Sequence, residues 1–167
     1  SMVDVAPRLA AQSPGPGCGK TVLLEAISNL TPRPVTAASI TAAVVFRIIE
    51  EVKPTLFLDE ADQMLKDRSS PLVAVLNSSH RKSTAYVWRT EETVPGQFVP
   101  VRFSTWAAVM FAGIRELPPT LQDRSIVLRL QRARPGEVKQ HIRDGKCDAL
   151  AECGQKLARW AEDTVEL

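Results

Sequence analysis

Residues 15–21, with the sequence Gly-Pro-Gly-Cys-Gly-Lys-Thr, have the types and spacing of a phosphate-binding loop. In such a loop, successive backbone N–H groups point at phosphate oxygens at the start of a helix. The lysine adds a positive charge beside the β- and γ-phosphates of a nucleotide, and the threonine places a hydroxyl on Mg²⁺. Glycines suit this loop because a Cβ would clash with phosphates or with the required backbone angles. We therefore expect nucleotide contacts from Gly15, Pro16, Gly17, Cys18, Gly19, Lys20, Thr21 and Val22.

The start of this loop departs from the general pattern. Pro14 occupies the position where the pattern has Gly or Ala. Proline has no N–H to donate, so the loop must begin differently, although the phosphate cradle lies downstream. The competing interpretation is a Gly/Pro-rich turn before a helix, which Gly-Lys-Thr between a strand and a helix makes less favourable.

Two adjacent carboxylates, Asp59 and Glu60, follow a short apolar run 39 residues beyond Lys20. Asp59 would hold Mg²⁺, as the acidic partner of a phosphate loop does. Glu60 would polarise the attacking water as a general base. By itself such a pair could simply cap the next helix. Together with the loop, it predicts a domain that binds ATP and Mg²⁺ and hydrolyses the nucleotide, with Lys20 and Glu60 as catalytic residues.

The elements that would position these residues alternate between strands and helices. Strands are predicted at residues 7–13, 34–37 and 55–58. A first helix is predicted from Gly19, and its apolar side is formed by Val22, Leu23, Ala26, Ile27 and Leu30. A second helix is predicted from a cap at Ser39 or Thr41 to about Val52. Val44, Val45, Ile48 and Ile49 are expected on the buried side of the second helix. This alternation predicts a parallel sheet.

The rest of the chain predicts a hairpin and further α/β elements. A helix is expected from Pro71 to residues 77–80, a hairpin over 84–89 and 97–103, and a buried strand at 107–112. A helical turn over 117–124 and a strand over 125–130 follow. Beyond residue 136 the pattern is helical, with Leu150, Leu157, Trp160 and Ala161 on its apolar side. We expect an ATPase core over residues 3–134, and a partial helical lid or C-terminal extension over 135–167.

Composition and charge exclude several classes of protein. The 167 residues carry a formal net charge of +2, with 44% hydrophobic and 24% charged residues, which is ordinary for a globular protein and unlike a basic nucleic-acid-binding tail. No apolar run approaches 18 residues and no signal peptide opens the chain, so we expect a cytoplasmic protein without membrane contact. The charge is uneven, because residues 63–134 carry eleven basic and five acidic side chains.

The cysteines predict neither a disulfide framework nor a zinc site. Cys18, Cys147 and Cys153 are odd in number and form no Cys-x-x-Cys pair, which is typical of a reducing compartment. His141, Cys147 and Cys153 follow at six-residue steps, whereas zinc ligands have shorter paired spacings.

The order of elements, the loop, the Leu-Asp-Glu strand and the late Asp123-Arg124 resemble the core of an AAA+-type, ring-forming ATPase. More closely, the chain resembles a domain-of-unknown-function family found in phage, plasmid and other mobile-element proteins, often attached to primase- or helicase-like regions. The resemblance lies in residues 13–25, 46–50, 54–62, 76–81, 103–106, 112–114, 117–126, 134–137 and 158–161. The Ser-Pro start of the loop is this family's form. The resemblance implies a P-loop NTPase three-layer sandwich with a mostly parallel sheet, a β-hairpin insertion and a short C-terminal helical region.

The resemblance also implies partners and further site residues. Arg124 would be an arginine finger that reaches the nucleotide of a neighbouring subunit in a homo-oligomeric ring, and the alternative is a surface pair with Asp123. The family pattern continues into a further helical, Trp-containing segment, so we expect this chain to be cut from a larger protein. The polar sensor after the fourth strand stays open, with Ser104, Thr105 and Asn77 as candidates.

Single-stranded DNA is the expected polymer, through basic and aromatic residues in and before the hairpin. These are His80, Arg81, Lys82, Tyr86, Trp88 and Arg89, which could pair with phosphates and stack on bases. Alternatively, Trp88 packs the hairpin onto the core and the cations are solvated; we favour this for Trp88 and a functional role for Arg81.

The leading hypothesis is a helicase- or translocase-related ATPase of mobile-element replication or maintenance. The string Asp-Glu-Ala-Asp at residues 59–62 invites a DEAD-box helicase, but those enzymes need a second RecA-like domain for which this chain has no room. Two alternatives remain: a small P-loop kinase and a non-hydrolysing nucleotide switch or assembly module. Adjacent Asp59 and Glu60 fit hydrolysis better than phosphoryl transfer to an acceptor.

Overall fold

The computed structural model describes residues 3–137 and 147–165. Its centre is a five-stranded, fully parallel sheet with the order β2-β3-β6-β1-β7. The strands are β1 (Arg8–Gln12), β2 (Pro34–Ala37), β3 (Thr55–Leu58), β6 (Ala108–Gly113) and β7 (Ile126–Arg129). The predicted α/β class and parallel sheet are confirmed, and β2 and β3 have the predicted bounds.

Helices connect the strands and cover both faces of the sheet. They are α1 (Lys20–Asn29), α2 (Ala42–Val52), α3 (Ala61–Met64), α4 (Pro71–Ser78), α5 (Pro119–Gln122) and α6 (Asp148–Val165). Thr41 caps α2, since its Oγ1 accepts a hydrogen bond from the Val44 N–H at 3.4 Å. Ser70 caps α4 in the same way, and Pro71 follows at the first helical position.

Alternating side chains of the central strands build two cores, one on each face. Leu56, Leu58 and Phe111 belong to the larger core, which α2 and α4 complete. Phe57 and Met110 point to the opposite face and pack with Leu24 of α1. Strands buried on both faces are therefore continuous apolar runs, as the sequence of β3 indicates. Helix, sheet and helix form three layers.

The second sheet is an antiparallel hairpin of β4 (Tyr86–Val94) and β5 (Gln97–Ser104), inserted between α4 and β6. A turn at Pro95 and Gly96 joins its strands, with Gly96 at φ 82°. Its inner face packs on α2, where the rings of Phe103 and Phe46 lie 5.0 Å apart. The predicted hairpin is confirmed, with a longer first strand.

Two helix faces differ from the sequence prediction. Val22 of α1 and Val44 of α2 are exposed, and the buried positions are Leu24, Val45, Phe46 and Ile49. In α1 three apolar residues stand in a row at 22–24, so spacing alone does not select the one that contacts the sheet. Phe46 is buried because the hairpin covers it.

The terminal helix α6 contacts α1 but leaves most of its predicted apolar side exposed. Leu150 is partly buried, whereas Leu157 and Trp160 are 43% and 65% exposed. Gly154 of α6 faces the end of α1, and a Cβ added to it would stand 3.4 Å from the Asn29 carbonyl oxygen. His141 and the helix predicted around it lie outside the described residues. No helix in the described part of the chain is long and apolar enough to span a membrane.

Candidate functional site at the carboxyl edge of the sheet

Because all five strands are parallel, their carboxyl ends meet at one edge of the sheet, where α/β proteins commonly bind ligands. A cleft of about 450 Å³ opens there between the ends of β3 and β6 and the start of α1. It is lined by residues of the predicted loop, by the predicted carboxylates and by four others: Pro16, Gly17, Cys18, Gly19, Lys20, Thr21, Val22, Asp59, Glu60, Asp62, Gln63, Gly113 and Ile114. Gly15 does not line it.

The loop turns from β1 into α1 through two left-handed glycines. Gly17 has φ 72° and Gly19 has φ 80°, a region that residues with a Cβ rarely adopt. Gly15 has no such backbone angle, and an added Cβ there would meet open space. Backbone conformation therefore requires glycine at Gly17 and Gly19 but not at Gly15.

The Lys20 ammonium group is held over the loop by two oxygens. Its Nζ donates to the Ser13 Oγ at 2.5 Å and to the Gly15 carbonyl oxygen at 3.2 Å. Ser13 is itself buried and donates its hydroxyl to the same carbonyl at 2.7 Å. An ammonium group has three donors, so one remains for a phosphate oxygen.

Thr21 and Asp59 come from segments 38 residues apart and meet in the cleft. The Thr21 hydroxyl donates to Oδ2 of Asp59 at 3.0 Å. The other carboxylate oxygen accepts the Glu60 N–H at 2.9 Å, which fixes the orientation of the Asp59 side chain. A hydroxyl and a carboxylate at one point are oxygen ligands of the kind that Mg²⁺ prefers.

Glu60 has a strained backbone at the start of α3. Its φ of 51° and ψ of 35° are left-handed, and its side chain lines the cleft. A non-glycine residue in this region costs about 1–3 kcal/mol and is found preferentially at functional sites. The strain thus falls on the residue predicted to be the general base.

Asp62 is a cleft residue to which sequence reasoning gave no role. Its Oδ1 accepts the Ile114 N–H at 3.1 Å, which joins α3 to the end of β6. An added Cβ at Gly113 would stand 2.6 Å from that oxygen, so Asp62 occupies the space that a side chain would need. The glycine at the end of an otherwise apolar strand was the available signal.

The three sensor candidates do not line this cleft. Thr105 is fully buried and its hydroxyl lies 3.0 Å from the Ser78 hydroxyl, and the Ser104 N–H donates to Oε2 of Glu50. Asn77 offers its carbonyl oxygen to Arg124. The polar side chain that lies beside the end of β6 is that of Asp62, which belongs to α3.

Arg132 is a second residue that sequence reasoning missed. Its guanidinium lies beside the loop, since an added Cβ at Gly17 would be 3.6 Å from Nη2. Arg132 follows β7, whose carboxyl end lies at the same edge as the end of β1. It adds a cation next to the predicted phosphate-binding loop.

Arg124 lies away from the cleft, just before β7 at the amino edge of the sheet. Its Nη1 donates to the Asn77 carbonyl oxygen at 3.0 Å at the end of α4. Within the described residues it forms no ion pair with Asp123. Its charge also acts on buried Arg8: burial first, and then Arg124, lower the pKa of Arg8 to about 10.

The hairpin separates the predicted nucleic-acid residues onto two faces. Trp88 is 56% exposed on the outer face with Tyr86 and Arg102, so the expectation that it packs on the core is wrong. Arg89 turns inward, with its guanidinium 5.1 Å from the Phe46 ring. Arg81 and Lys82 are exposed.

Comparison with known proteins assigns no family to this chain. No family model and no curated protein matches the sequence. A crystal structure of the JCV helicase bound to a thiazolopyridine-containing acetamide has a TM-score of 0.43 and 14% sequence identity over 77% of this chain. The match spans 37% of that helicase chain.

Proposed function

We propose that this chain is the ATP-binding and Mg²⁺-dependent hydrolysing core of an oligomeric AAA+-like ATPase. The observation that carries the proposal is the 3.0 Å contact between Thr21 and Asp59 beside Lys20. Among the described residues, no group of three or more His, Cys, Asp or Glu is arranged to hold a metal ion. A magnesium ion at Thr21 and Asp59 would therefore complete its ligands with nucleotide phosphates and water.

In this proposal each cleft residue has a separate task. Lys20 and the backbone N–H groups of the loop neutralise and orient the phosphates. Glu60, held in its left-handed conformation, takes the proton of the attacking water. Asp62 holds the end of β6 against α3, so that the two walls of the cleft keep their spacing.

The proposal includes a homo-oligomer that acts on single-stranded DNA, in mobile-element replication or maintenance. Arg124 is exposed at the edge opposite to its own cleft, which is a suitable place for a residue that serves a neighbouring subunit. The outer face of the hairpin offers exposed Tyr86 and Trp88 with the Arg102 guanidinium 5.5 Å from the Tyr86 ring. Aromatic rings beside cations can stack bases and pair with backbone phosphates.

Calorimetric titration with a non-hydrolysable ATP analogue and Mg²⁺ tests the first step. We expect binding to the wild-type chain, and a loss of roughly 10-fold or more in the Lys20→Ala variant because a charge-assisted contact is removed. Lys66→Ala, which removes an exposed lysine outside the cleft, is the matched control. Absence of binding by the wild-type chain contradicts the proposal.

Turnover assays separate the alternatives. A small kinase would transfer phosphate to an added nucleoside in a coupled assay, whereas the proposed ATPase releases inorganic phosphate without an acceptor. A nucleotide switch would bind the analogue but release no phosphate, so Glu60→Gln would have no ATPase rate to lower. To test Arg124, Arg124→Ala is mixed with Lys20→Ala; recovered activity in mixed oligomers supports a role in the neighbouring subunit, and no recovery argues against it.

A further inference from the structure

The amino edge of the sheet carries a second and larger cavity, of about 640 Å³. Apolar residues of α2 and of the chain near the starts of β1, β3 and β6 form much of its lining: Ile49, Ala6, Pro7, Pro54, Ala107 and Ala108. Ligand pockets commonly measure about 300–1,000 Å³ and combine such an apolar lining with a few convergent polar groups. Here the polar residues are three cations, one carboxylate, one threonine, one serine and one tryptophan.

The cations come from three separate segments of the chain. Arg33 precedes β2, Lys53 follows α2, and Lys82 begins the short helical turn before β4. Within the described residues, none of these three cations forms an ion pair. The one carboxylate, Glu50, accepts the Ser104 N–H at 2.6 Å. The cavity therefore has an excess of positive charge and suits an anion.

Two of these cations are held in position by the backbone. Arg33 has φ 52° and Lys53 has φ 49°, both left-handed. The Thr55 N–H donates to the Arg33 carbonyl oxygen at 3.2 Å, and the Lys53 N–H donates to the Ile49 carbonyl oxygen at 3.0 Å. These bonds hold the two residues in a backbone conformation that their types disfavour, and both residues line the cavity.

The indole of Trp106 lines the same cavity. Its Nε1 is buried and has no hydrogen-bond partner in the described structure. Lys82 covers the ring, with Nζ 5.4 Å from the centroid. Because the indole nitrogen has almost no surface accessible to solvent, the cavity meets the ring of Trp106 and not its N–H.

The cavity continues toward the hairpin. Glu50, Lys82 and Ser104 also line a neighbouring groove of about 280 Å³, together with Tyr86 and Arg102. Tyr86 and Arg102 belong to the aromatic outer face of the hairpin. Cations and aromatic rings therefore follow one another from the cavity to that face.

We propose that this second cavity binds a nucleotide unit with its phosphate on Arg33, Lys53 and Lys82. Its base packs on the apolar lining and on the ring of Trp106. The unit is either the terminal nucleotide of a single strand or a free mononucleotide, which has the same chemistry. The neighbouring groove favours the first, because the rest of the strand would continue along it. This inference rests on the proposed function only for its single-stranded partner, and nucleotide binding at the phosphate loop is not required.

The test uses the Lys20→Ala variant, so that the phosphate loop contributes little to binding. Fluorescence anisotropy compares labelled thymidine octamers that end in a 5′-phosphate, in a 3′-phosphate or in hydroxyls. We expect one terminal phosphate to tighten binding roughly 10-fold. Reversing both charges with Arg33→Glu and Lys53→Glu should remove that advantage, and Lys66→Glu, an exposed lysine near the other edge, should keep it.

Further arms identify the source and the role of the indole. Competition by thymidine monophosphate assigns the site to a free nucleotide, and no competition assigns it to the end of a strand. Trp106→Leu removes the aromatic ring and should weaken binding severalfold, whereas Trp106→Phe keeps a ring and should retain most of the affinity. Equal affinity of all three octamers, with no binding of the monophosphate, overturns the proposal. A phosphate advantage that survives the double reversal also overturns it. The analogue titration of the wild-type chain reports separately on the phosphate loop.

Discussion

The two edges of one parallel sheet hold cavities of opposite charge. At the carboxyl edge three carboxylates, Asp59, Glu60 and Asp62, stand against the single ammonium group of Lys20 among the lining residues. At the amino edge three cations stand against one carboxylate. The first arrangement favours a divalent cation with a nucleotide phosphate, and the second favours an anion alone. The same sheet thus presents two electrostatically different sites.

The two cavities also share a structural feature. The three non-glycine residues with left-handed backbone in the described structure are Glu60 in the cleft and Arg33 and Lys53 at the other edge. Strained residues therefore coincide with the charged groups of both cavities. In Lys53 the left-handed backbone also ends helix α2, as is common at helix C-termini.

The largest expected difference between the edges is in turnover. Glu60→Gln should lower the rate of phosphate release by about 10²–10⁴-fold, because general base catalysis contributes that much. Lys53→Gln, an amide substitution at a strained residue of the other cavity, should leave the basal rate unchanged. Steady-state phosphate release measures both. Equal losses in the two variants would remove the distinction between the edges.

The second expected effect is on stability at the carboxyl edge. Gly113→Ala places a Cβ 2.6 Å from Oδ1 of Asp62 and 3.2 Å from its backbone nitrogen. We expect the free energy of unfolding to fall by about 1–3 kcal/mol from overpacking. Gly15→Ala, where the space is open, is the control. Urea denaturation that shows equal stability for the two variants would argue against the role given to Asp62.

A smaller effect tests the shared strain. Glu60→Gly and Lys53→Gly each relieve a left-handed backbone, so each should gain up to about 1 kcal/mol of stability, less the entropy that glycine adds to the unfolded chain. Glu51→Gly, in the regular helix α2, should instead lose about 1 kcal/mol. Thermal denaturation compares the three. Destabilisation of the first two by as much as the third would show that their backbones are not strained.

The smallest effect concerns pH and the amino edge. Burial, and then the charges of Arg8, Arg124 and Arg81, lower the pKa of His80, against a hydrogen bond with Ala6 that raises it. The unfolded chain therefore takes up a proton at higher pH than the folded chain, and stability should fall as pH drops below about 6.5. His80→Gln should reduce the difference in melting temperature between pH 7 and pH 5.5. An unchanged difference would contradict this assignment.

Sequence patterns predicted the elements better than the contacts between them. Strands β2 and β3 and the hairpin turn depend on neighbouring residues and were predicted closely, and the cap of α2 is Thr41, one of the two residues predicted. The Asp62 contact joins residues 52 positions apart, and Arg132 approaches a loop more than a hundred positions away. The second cavity is lined by five separate segments of the chain, three of which supply its cations. Such long-range placement leaves no periodic signal in one sequence.

The cleft was predicted in its main residues, because a loop and a carboxylate pair have fixed spacing relative to a strand and a helix. Their roles in binding and hydrolysis stay predictions. The orientation of Trp88 was missed because alternation along a strand separates two faces of the hairpin but does not show which face packs on the core. Packing on α2 decides which face is inside.

The coupling between Mg²⁺ and nucleotide tests the central claim most directly. Calorimetry measures the affinity for a non-hydrolysable ATP analogue with and without Mg²⁺, for the wild-type chain, Thr21→Val, Asp59→Asn and the double variant. We predict that Mg²⁺ tightens wild-type binding, that either single substitution removes most of this gain, and that the double substitution adds little more. An equal gain from Mg²⁺ in all four proteins would contradict a magnesium site at Thr21 and Asp59.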